Sequence, residues 1–451
     1  MWTRPLTGQT TTADAAEDPI TLRAAVNHAV RTHPVIAAEK LKVERAALDV
    51  QEVLNLKRPN VDLFFKTGLV PEAQGDIFDS PDSNEDLDNL GVFWRFDLNV
   101  VQPISTFGKI SSARDAAESV VEVRRYGEQF TAAKLGFEVV QAYWGFESAN
   151  RGVNLAQNLL SDYKDLLEQV ELAANDPQSD VDDTRLFEVQ SFEYGITEAS
   201  RTTYKDQEVA QIYLEVLLTW DDLDDQSFAP VATPAIPDTG MADRLISMAM
   251  QQNPAIQQAR SGLAALDSKI ALSEASKWPD LFVALSGVYA RAPNRTDIKS
   301  PFILDPFNLR TVGGFLGLRW NLKFADHRLE IAQSTTEREE ATQQIATLED
   351  RLTVEVTRAY AEAKARSDLL AAARRSVKAA RRWLRLSGDN FELGLGSVDR
   401  LIKAYRQYYD LAAAAIEVET EYHLALARLA LSLGRIELYL DWTEHGSLEI
   451  G

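Results

Sequence analysis

The chain has 451 residues, of which 45% are hydrophobic and 25% are charged, and its formal net charge is −21. This length is sufficient for a large hydrophobic core, and the acidic balance argues against nucleic acid as a main partner. No apolar run reaches the roughly 18 residues that a transmembrane helix needs, and the absence of Cys excludes disulfides and thiolate metal sites. β-barrel strands remain compatible with this composition, because alternating side chains keep the average hydropathy low.

The N-terminal segment, residues 1–20, is rich in Thr and Asp and lacks the basic-then-apolar order of a signal peptide. We expect it to be flexible, in a chain that is processed or trimmed at its start or that stays in the cytosol. The first repeat follows over 21–222. Its periodicity predicts helices over 21–57 with a break at Pro34, strands over 61–70 and 90–102, and a long helix pair over 109–174 and 183–220.

The strand over 90–102 alternates strictly between two faces, with a period of two residues. One face is apolar and carries Val92, Trp94, Phe96, Leu98 and Val100. The other face is largely polar, with Arg95, Asp97 and Asn99. About ten alternating residues is the length that a transmembrane barrel strand needs, and the helix that follows is too long for an ordinary compact core.

The second half of the chain repeats this order of elements. Pro34 and Pro59 recur as Pro254 and Pro279 with the same spacing. After an acidic, Pro-containing linker over 223–240, the second repeat spans 241–434. Its predicted elements are helices over 241–276, strands over 280–291 and 312–324, and a long helix pair over 327–387 and 398–433. The last segment, 435–451, is a C-terminal extension.

Four membrane-type strands cannot close a barrel, since the smallest known barrels have about eight, and unpaired strand edges are not viable in lipid. A barrel shared by three copies, with twelve strands, is the simplest solution. Polar residues of the strands would then line its water-filled lumen: Arg95, Asp97, Asn99, Arg319, Asn321 and Lys323. The alternative is a soluble antiparallel sandwich in which the apolar faces of the same strands form the core.

Several motifs, weak singly but ordered in two tandem repeats, resemble the TolC-type outer membrane efflux protein family, the outer membrane factors. They are the Pro-punctuated helices Leu22–Pro59 and Leu245–Pro279, the segment Val101–Lys109 (VQPISTFGK), the pairs Ala142-Tyr143 and Ala359-Tyr360, and the turn Phe391–Asp399 (FELGLGSVD). The chain departs from the family at Phe324–Arg328 (FADHR), where Phe-Asp-Gly-Gly is usual, so we expect a different strand-to-helix bend there. The first helix reversal, Asn175–Asp183, also lacks the usual Gly-Leu pair.

This resemblance implies a mainly α fold with a β-barrel part. Three copies would form a homotrimeric, twelve-stranded transmembrane β-barrel, with four strands per chain, that continues into a long periplasmic α-helical barrel. The repeats would form an equatorial region between the two barrels, and residues 435–451 would be a C-terminal equatorial segment or a tail. Such a protein is the exit duct in the outer membrane for a tripartite efflux pump or a type I secretion system. Its partners are outer-membrane lipid, a periplasmic adaptor (membrane fusion) protein and an inner-membrane RND or ABC transporter.

The resemblance also points to acidic residues at the helix tips, which close the periplasmic entrance in this family. Asp399 stands at the position of a family entrance aspartate, whereas the next family acid aligns with Ile402. In the first repeat, Asp182 and Asp183 take the corresponding place. Such carboxylates would attract cations and pair with basic residues to hold the tip shut. The alternative is ordinary helix N-capping by Asp182, Asp183 or Ser397.

A basic stripe is the second candidate site, with Arg374, Lys378, Arg381 and Arg385 on one helix face at spacings of four, three and four. An acidic stripe lies at a comparable level of the first long helix: Asp162, Asp165, Glu168 and Glu171. The two stripes could join neighbouring helices, or the basic one could receive the adaptor. The alternative for each residue is a solvated helix face.

No pattern for catalysis or cofactor binding occurs, whether a zinc-protease HExxH, a nucleophile elbow or a phosphate-binding loop. The five His residues have no metal-ligand spacing. We therefore expect no enzymatic activity, no metal and no cofactor. A non-transporting, soluble coiled-coil structural or adaptor protein stays open as the second hypothesis, because the sequence shows no signal peptide.

Overall fold

The computed structural model describes residues 19–75, 78–82, 89–175, 181, 183–220, 228–236, 241–393 and 395–448. Its first half contains helices α1 (Leu22–Thr32), α2 (Pro34–Asn55), α3 (Lys109–Ala174), α4 (Asp183–Gln190) and α5 (Glu193–Leu218), with strands β1 (Asn60–Pro71) and β2 (Leu90–Ser105). The second half contains helices α6 (Met241–Gln252), α7 (Pro254–Ala275), α8 (Phe324–Glu392), α9 (Val398–Ser432) and α10 (Ile436–His445), with strands β3 (Asp280–Arg291) and β4 (Arg310–Arg319). None of the helices among the described residues is sufficiently long and apolar to span a membrane.

The proline breaks occur where the sequence predicts them, and they are built alike in the two halves. Pro34 and Pro254 are each the first residue of a helix, a position at which the missing N–H costs nothing. The preceding residue ends the previous helix: the His33 N–H donates to the Ala29 carbonyl at 2.8 Å. Asn253 additionally fixes the second break, because its Oδ1 accepts from the Ala255 N–H at 2.8 Å.

The first return helix, predicted as one segment over 183–220, is interrupted. The interruption is at Ser191 and Phe192, between α4 and α5. The Ser191 hydroxyl donates to the Glu188 carbonyl at 2.7 Å, a local side-chain bond that competes with the regular helical pattern. The second long helix is longer than predicted: the sequence predicts 327–387, and the helix runs from Phe324 to Glu392.

The chain divides into two compact units, and each unit takes segments from both halves of the sequence. One unit consists of Leu41–Arg125 and Gln258–Ala346 and contains the whole sheet. Its strands pair antiparallel in the order β1-β2-β3-β4, so β1 and β4 are the edge strands. Two ion pairs join α7 to α8 beside the sheet: Lys269 with Glu337, and Arg338 with Asp267.

The register of the sheet places the apolar alternation of all four strands on one face. Leu63 lies opposite Leu98, Phe96 opposite Tyr289, and Val283 opposite Leu316. Many of these side chains are exposed in the single chain, including Leu63, Leu69, Val312 and Leu316, each more than half exposed. An exposed apolar face of this size on a four-stranded sheet is unusual for a soluble monomer.

The two bends that lead from the sheet into the long helices differ, as the departure from the family pattern predicts. Before α3, Phe107 and Gly108 both adopt left-handed backbone, with φ values of +47° and +97°. The described residues between β4 and α8 contain no left-handed residue. There the Trp320 indole N–H donates to the Lys277 carbonyl at 2.9 Å, and β4 ends at Arg319 rather than at the predicted residue 324.

The other unit consists of Met1–Lys40, Tyr126–Gln257 and Thr347–Gly451. Its long helices are joined side by side in the order α5-α3-α9-α8 by side-chain bonds. The Gln157 amide of α3 donates to Tyr204 of α5 at 2.6 Å, and Tyr409 of α9 donates to Asp162 of α3 at 2.6 Å. Arg374 of α8 donates to Glu419 of α9 at 2.7 Å, which completes the row.

The main hydrophobic core of this unit lies where α1, α3, α5, α6, α8, α9 and α10 meet. Trp144, Tyr422, Tyr439 and Trp442 are among its largest side chains, and each is almost completely buried. A second, smaller core lies at the far ends of the long helices, around Val170 and Val189. This second core positions the candidate tip residues.

Candidate functional site

The tip acid Asp399 forms an ion pair with an arginine that sequence reasoning did not single out. Both guanidinium Nη atoms of Arg185 reach the carboxylate, at 2.7 Å and 3.0 Å. Arg185 belongs to α4 and Asp399 to the first turn of α9, so this bidentate pair joins the two tips. Each side chain is about 40% exposed: 41% for Arg185 and 42% for Asp399. The pair therefore lies at the surface, where water and ions weaken it.

The helix ends around this pair are held together by apolar packing. Val170 of α3, Val189 of α4 and Leu401 of α9 are almost completely buried against one another. Ile402, which stands where the family has a second acid, is also buried here. An ionised carboxylate at this position would lose its hydration without a partner, which explains why an apolar residue fits it.

The N-capping interpretation has a different outcome at each tip residue. Ser397 is the N-cap residue of α9, but its side chain makes no capping hydrogen bond. Asp183 is the first residue of α4, where a carboxylate favours the positive end of the helix dipole. Asp182 lies outside the described residues.

The basic stripe lies in the same helical unit, along a groove of about 500 Å³ between α8 and α9. The groove is lined by Arg374, Lys378, Arg381 and Arg385, and by a fifth cation, Arg382, that the spacing argument did not include. Arg374 is bonded to Glu419, which also accepts from Arg151 of α3 at 2.9 Å. The acidic stripe of α3 is therefore not its partner. Among the described residues, the other four cations have no carboxylate within ion-pair distance.

The predicted lumen residues are divided by the structure. Arg95, Asp97 and Asn99 lie on the polar face of β2, where the Arg95 Nη2 and an Asp97 carboxylate oxygen are 2.7 Å apart. Arg319 ends β4 on the same face, with its guanidinium 5.5 Å from the Phe282 ring centre. Asn321 and Lys323 do not share this face, because they follow the end of β4.

Both residues instead help to form the link to α8. The Asn321 side-chain oxygen accepts from the Lys323 N–H at 3.3 Å, and the Asn321 carbonyl lies 3.3 Å from the His327 Nε2. The predicted alternation over 312–324 thus holds as far as Arg319 and stops there.

The described residues contain no cluster of three or more His, Cys, Asp or Glu that could hold a metal ion. They do contain a cleft of about 460 Å³ that the sequence analysis did not anticipate, between α3, α5 and α9. Tyr409 lines it and is hydrogen-bonded to Asp162, and burial together with that bond raises the pKa of the Tyr409 phenol. Helical spacing alone could not reveal this cleft, because its walls come from three helices distant in sequence.

Comparison with known proteins identifies the fold over nearly the whole chain. Residues 245–435 match the model of a family described as outer membrane efflux protein. No curated protein matches the chain by sequence.

Several solved structures share its fold. The Campylobacter jejuni CmeC outer membrane channel is 14% identical with a TM-score of 0.69, over 96% of this chain and 93% of that one. The Neisseria gonorrhoeae MtrE outer membrane channel, solved in its open state, is 16% identical with a TM-score of 0.71, over 92% and 89%. The Vibrio cholerae outer membrane protein VceC is 13% identical with a TM-score of 0.69, over 92% and 96%. The resemblance to the outer membrane efflux protein family is thus confirmed by the family match over residues 245–435, and the fold of these solved structures extends across both repeats.

Proposed function

We propose that this chain is the outer-membrane exit duct of an efflux pump or a type I secretion system. The observation that carries the proposal is the open four-stranded sheet, with one continuous apolar face and two unpaired edges. Three copies would supply twelve strands and remove every edge, which is what lipid demands of a sheet. Aromatic residues stand near both ends of the apolar face, as in membrane barrels: Trp94 and Tyr289 at one end, Trp278 and Trp320 at the other.

In this proposal the helical unit forms the periplasmic part of the duct and its tip is the gate. The ion pair between Arg185 and Asp399 ties α4 to α9 at the place where the duct would have to open. A partly exposed pair contributes only about 0.2–1 kcal/mol, so a docked partner can replace it at low cost. Asp182, Asp183 and Asp399, repeated threefold, would make the entrance acidic.

We also propose that Lys378, Arg381 and Arg385 receive an acidic surface of the periplasmic adaptor, which links the duct to an inner-membrane RND or ABC transporter. These cations have no carboxylate partner among the described residues of the chain, whereas Arg374 is held by Glu419. Isolated positive charges on a chain of net charge −21 favour an acidic partner over self-association through this groove.

Expression in a Gram-negative host followed by membrane fractionation tests the proposal. We expect the protein in the outer membrane as a trimer that resists SDS until heated, and we expect stepwise ion conductance when the purified trimer is added to a planar lipid bilayer. Recovery as a soluble monomer would contradict the duct and favour the coiled-coil structural protein.

A further inference from the structure

The cleft between α3, α5 and α9 has the chemistry of a binding site, and the proposed duct gives it no role. Its volume is about 460 Å³, which lies within the range of small-molecule sites. Aromatic side chains form much of its wall: Tyr163, Phe192, Tyr405 and Tyr409. All of these residues belong to the helical unit.

Carboxylates supply the negative charge of the cleft. Asp162 and Asp410 both line it. Asp162 accepts a hydrogen bond from Tyr409 at 2.6 Å, while Asp410 has no hydrogen-bond or ion-pair partner among the described residues. A separate groove adjoins the cleft between α3, α5 and α9, and Asp206 and Glu417 are among the residues that line it. The charged side chains that line the cleft itself are Asp162, Asp410 and Arg406, so their net charge is negative.

The aromatic wall already holds one cation. The Arg406 guanidinium lies 5.0 Å from the centre of the Phe192 ring, within the range of a cation–π contact. Tyr405 and Tyr409 also line the cleft, and the Tyr409 hydroxyl donates to Asp162. Aromatic faces combined with carboxylates are the surroundings that recognise organic ammonium groups.

A buried hydroxyl without a partner is an independent sign that the site is incomplete. Tyr163 is only 8% exposed, and its Oη atom has no hydrogen-bond partner among the described residues. A buried hydroxyl that lacks a partner carries a cost in free energy. Gly195 also lines the cleft, and a Cβ atom added there would meet nothing within 4 Å.

We propose that this cleft binds a hydrophobic organic cation, an aromatic or alkyl ammonium compound, with its ammonium group between Asp162 and Asp410 and its apolar part against the tyrosines. The ligand would also touch Leu166 and Ile402, which line the cleft and belong to the apolar cluster of the tip. This site does not depend on the proposed duct, because its binding can be measured on the purified protein alone.

The test measures the binding of phenethylammonium, a primary ammonium whose N–H groups can act as hydrogen-bond donors, by calorimetry to the purified full-length protein in a non-ionic detergent. The comparison compound is its neutral isostere 2-phenylethanol, in which a hydroxyl group replaces the ammonium. We expect saturable binding of the cation and at least about tenfold weaker binding of the isostere, the effect of roughly 1.4 kcal/mol of charge recognition.

Two variants and one control locate the site. The double change Asp162→Asn and Asp410→Asn should raise the Kd of the cation about tenfold, whereas Asp165→Asn, one turn away on α3 and outside the cleft, should leave it unchanged. Gly195→Leu should fill the cleft and abolish binding while helix α5 remains intact, since Leu has a higher helix propensity than Gly. Equal affinity for the isostere, undiminished binding to the Gly195→Leu variant, or no binding to the wild-type protein would overturn the proposal.

Discussion

The ion pair between Arg185 and Asp399, at the proposed gate, is a weak contact. Arg185 also contacts Glu188 at 2.8 Å, so the guanidinium is oriented from its own helix before it reaches Asp399. Because both partners of the tip pair are exposed, the net stabilisation per chain is about 0.2–1 kcal/mol. Threefold repetition would sum these terms at one constriction.

Removal of this pair should make the duct easier to open. We expect Arg185→Ala to increase the frequency or size of conductance steps in a planar bilayer, and the charge exchange Arg185→Asp with Asp399→Arg to restore the closed behaviour in part. Lys205→Ala, which removes an exposed pair with Asp206 on α5, is the matched control. Unchanged conductance in the Arg185→Ala variant would remove this pair from the gate.

A buried histidine in the main core should make the stability of the helical unit depend on pH. The His423 ring stacks on Trp144 with a centroid distance of 3.8 Å, and its Nδ1 lies 3.1 Å from the Tyr439 Oη. Tyr439 in turn accepts from the Trp144 indole N–H at 2.6 Å. Burial, reinforced by the charges of Arg151 and Arg374, lowers the pKa of His423 to about 3 from its ordinary 6.5.

Because the folded pKa is the lower one, the unfolded chain takes up the proton first. The stabilisation from the neutral ring is complete above pH 6.5, and it is lost as the pH falls towards 3, at most by ~1.4 kcal/mol per pH unit. In thermal unfolding, the stability of the wild-type protein should therefore fall below pH 6.5 relative to that of the His423→Gln variant. His445→Gln, at an exposed position of α10, should follow the wild type. Parallel curves for wild type and His423→Gln would show that the ring is protonated in the folded state.

At the scale of elements, the end of α9 shows how one backbone position joins the halves of the chain. Gly434 follows α9 with a left-handed φ of +78°. A Cβ atom there would lie 2.2 Å from the Pro254 Cδ, at the start of α7. The Asn253 side chain donates to the Ser432 carbonyl at 2.9 Å in the same place. Close backbone approach, as well as φ, therefore requires glycine.

Two substitutions separate the cost of the left-handed φ from the cost of the close approach to Pro254. Gly434→Ala should destabilise the helical unit by about 2–4 kcal/mol, since backbone strain of roughly 1–2 kcal/mol adds to the overlap. Gly446→Ala should cost only the strain, because Gly446 has a φ of +71° but open space around it. Chemical denaturation followed by circular dichroism measures both, and equal losses would show that α7 moves aside freely.

Prediction from the sequence succeeds for elements with strong local signals. Pro34 and Pro254 end one helix and start the next for reasons contained in proline itself. The alternation over 280–291, with Leu281, Val283, Leu285 and Tyr289 on one face, gives β3 with its predicted bounds. Prediction fails at Trp320, after the end of β4. The Trp320 indole N–H donates to the Lys277 carbonyl there, a contact that no local pattern reveals.

At the scale of the whole molecule, the same limit applies to the sites. Asp399 can be located from the turn that precedes it, but its partner Arg185 lies 214 residues earlier in the chain. Likewise, Arg374 can be placed on a basic face from helical spacing, whereas its bond to Glu419 follows only from the packing of α8 on α9. Helix periodicity predicts which residues share a face, and tertiary packing decides what that face meets.

The sheet is the basis for the proposed twelve-stranded barrel, because further copies of the chain would pair its open edges. β1 and β4 are the edge strands, and a closed ring of three copies would pair β4 of one chain with β1 of the next. The natural chain has no Cys, so introduced cysteines can report this pairing without background. Leu63 of β1 and Leu316 of β4 point from the apolar face and are 65% and 67% exposed.

The most direct measurement is oxidative cross-linking in the outer membrane of a chain with Leu63→Cys combined, in turn, with Val312→Cys, Leu316→Cys or Leu318→Cys. We predict that at least one combination gives a covalent trimer on a denaturing gel after heating, whereas each single-cysteine chain gives none. A cross-link only within one chain, or a chain that remains a monomer in every combination, would contradict the shared twelve-stranded barrel.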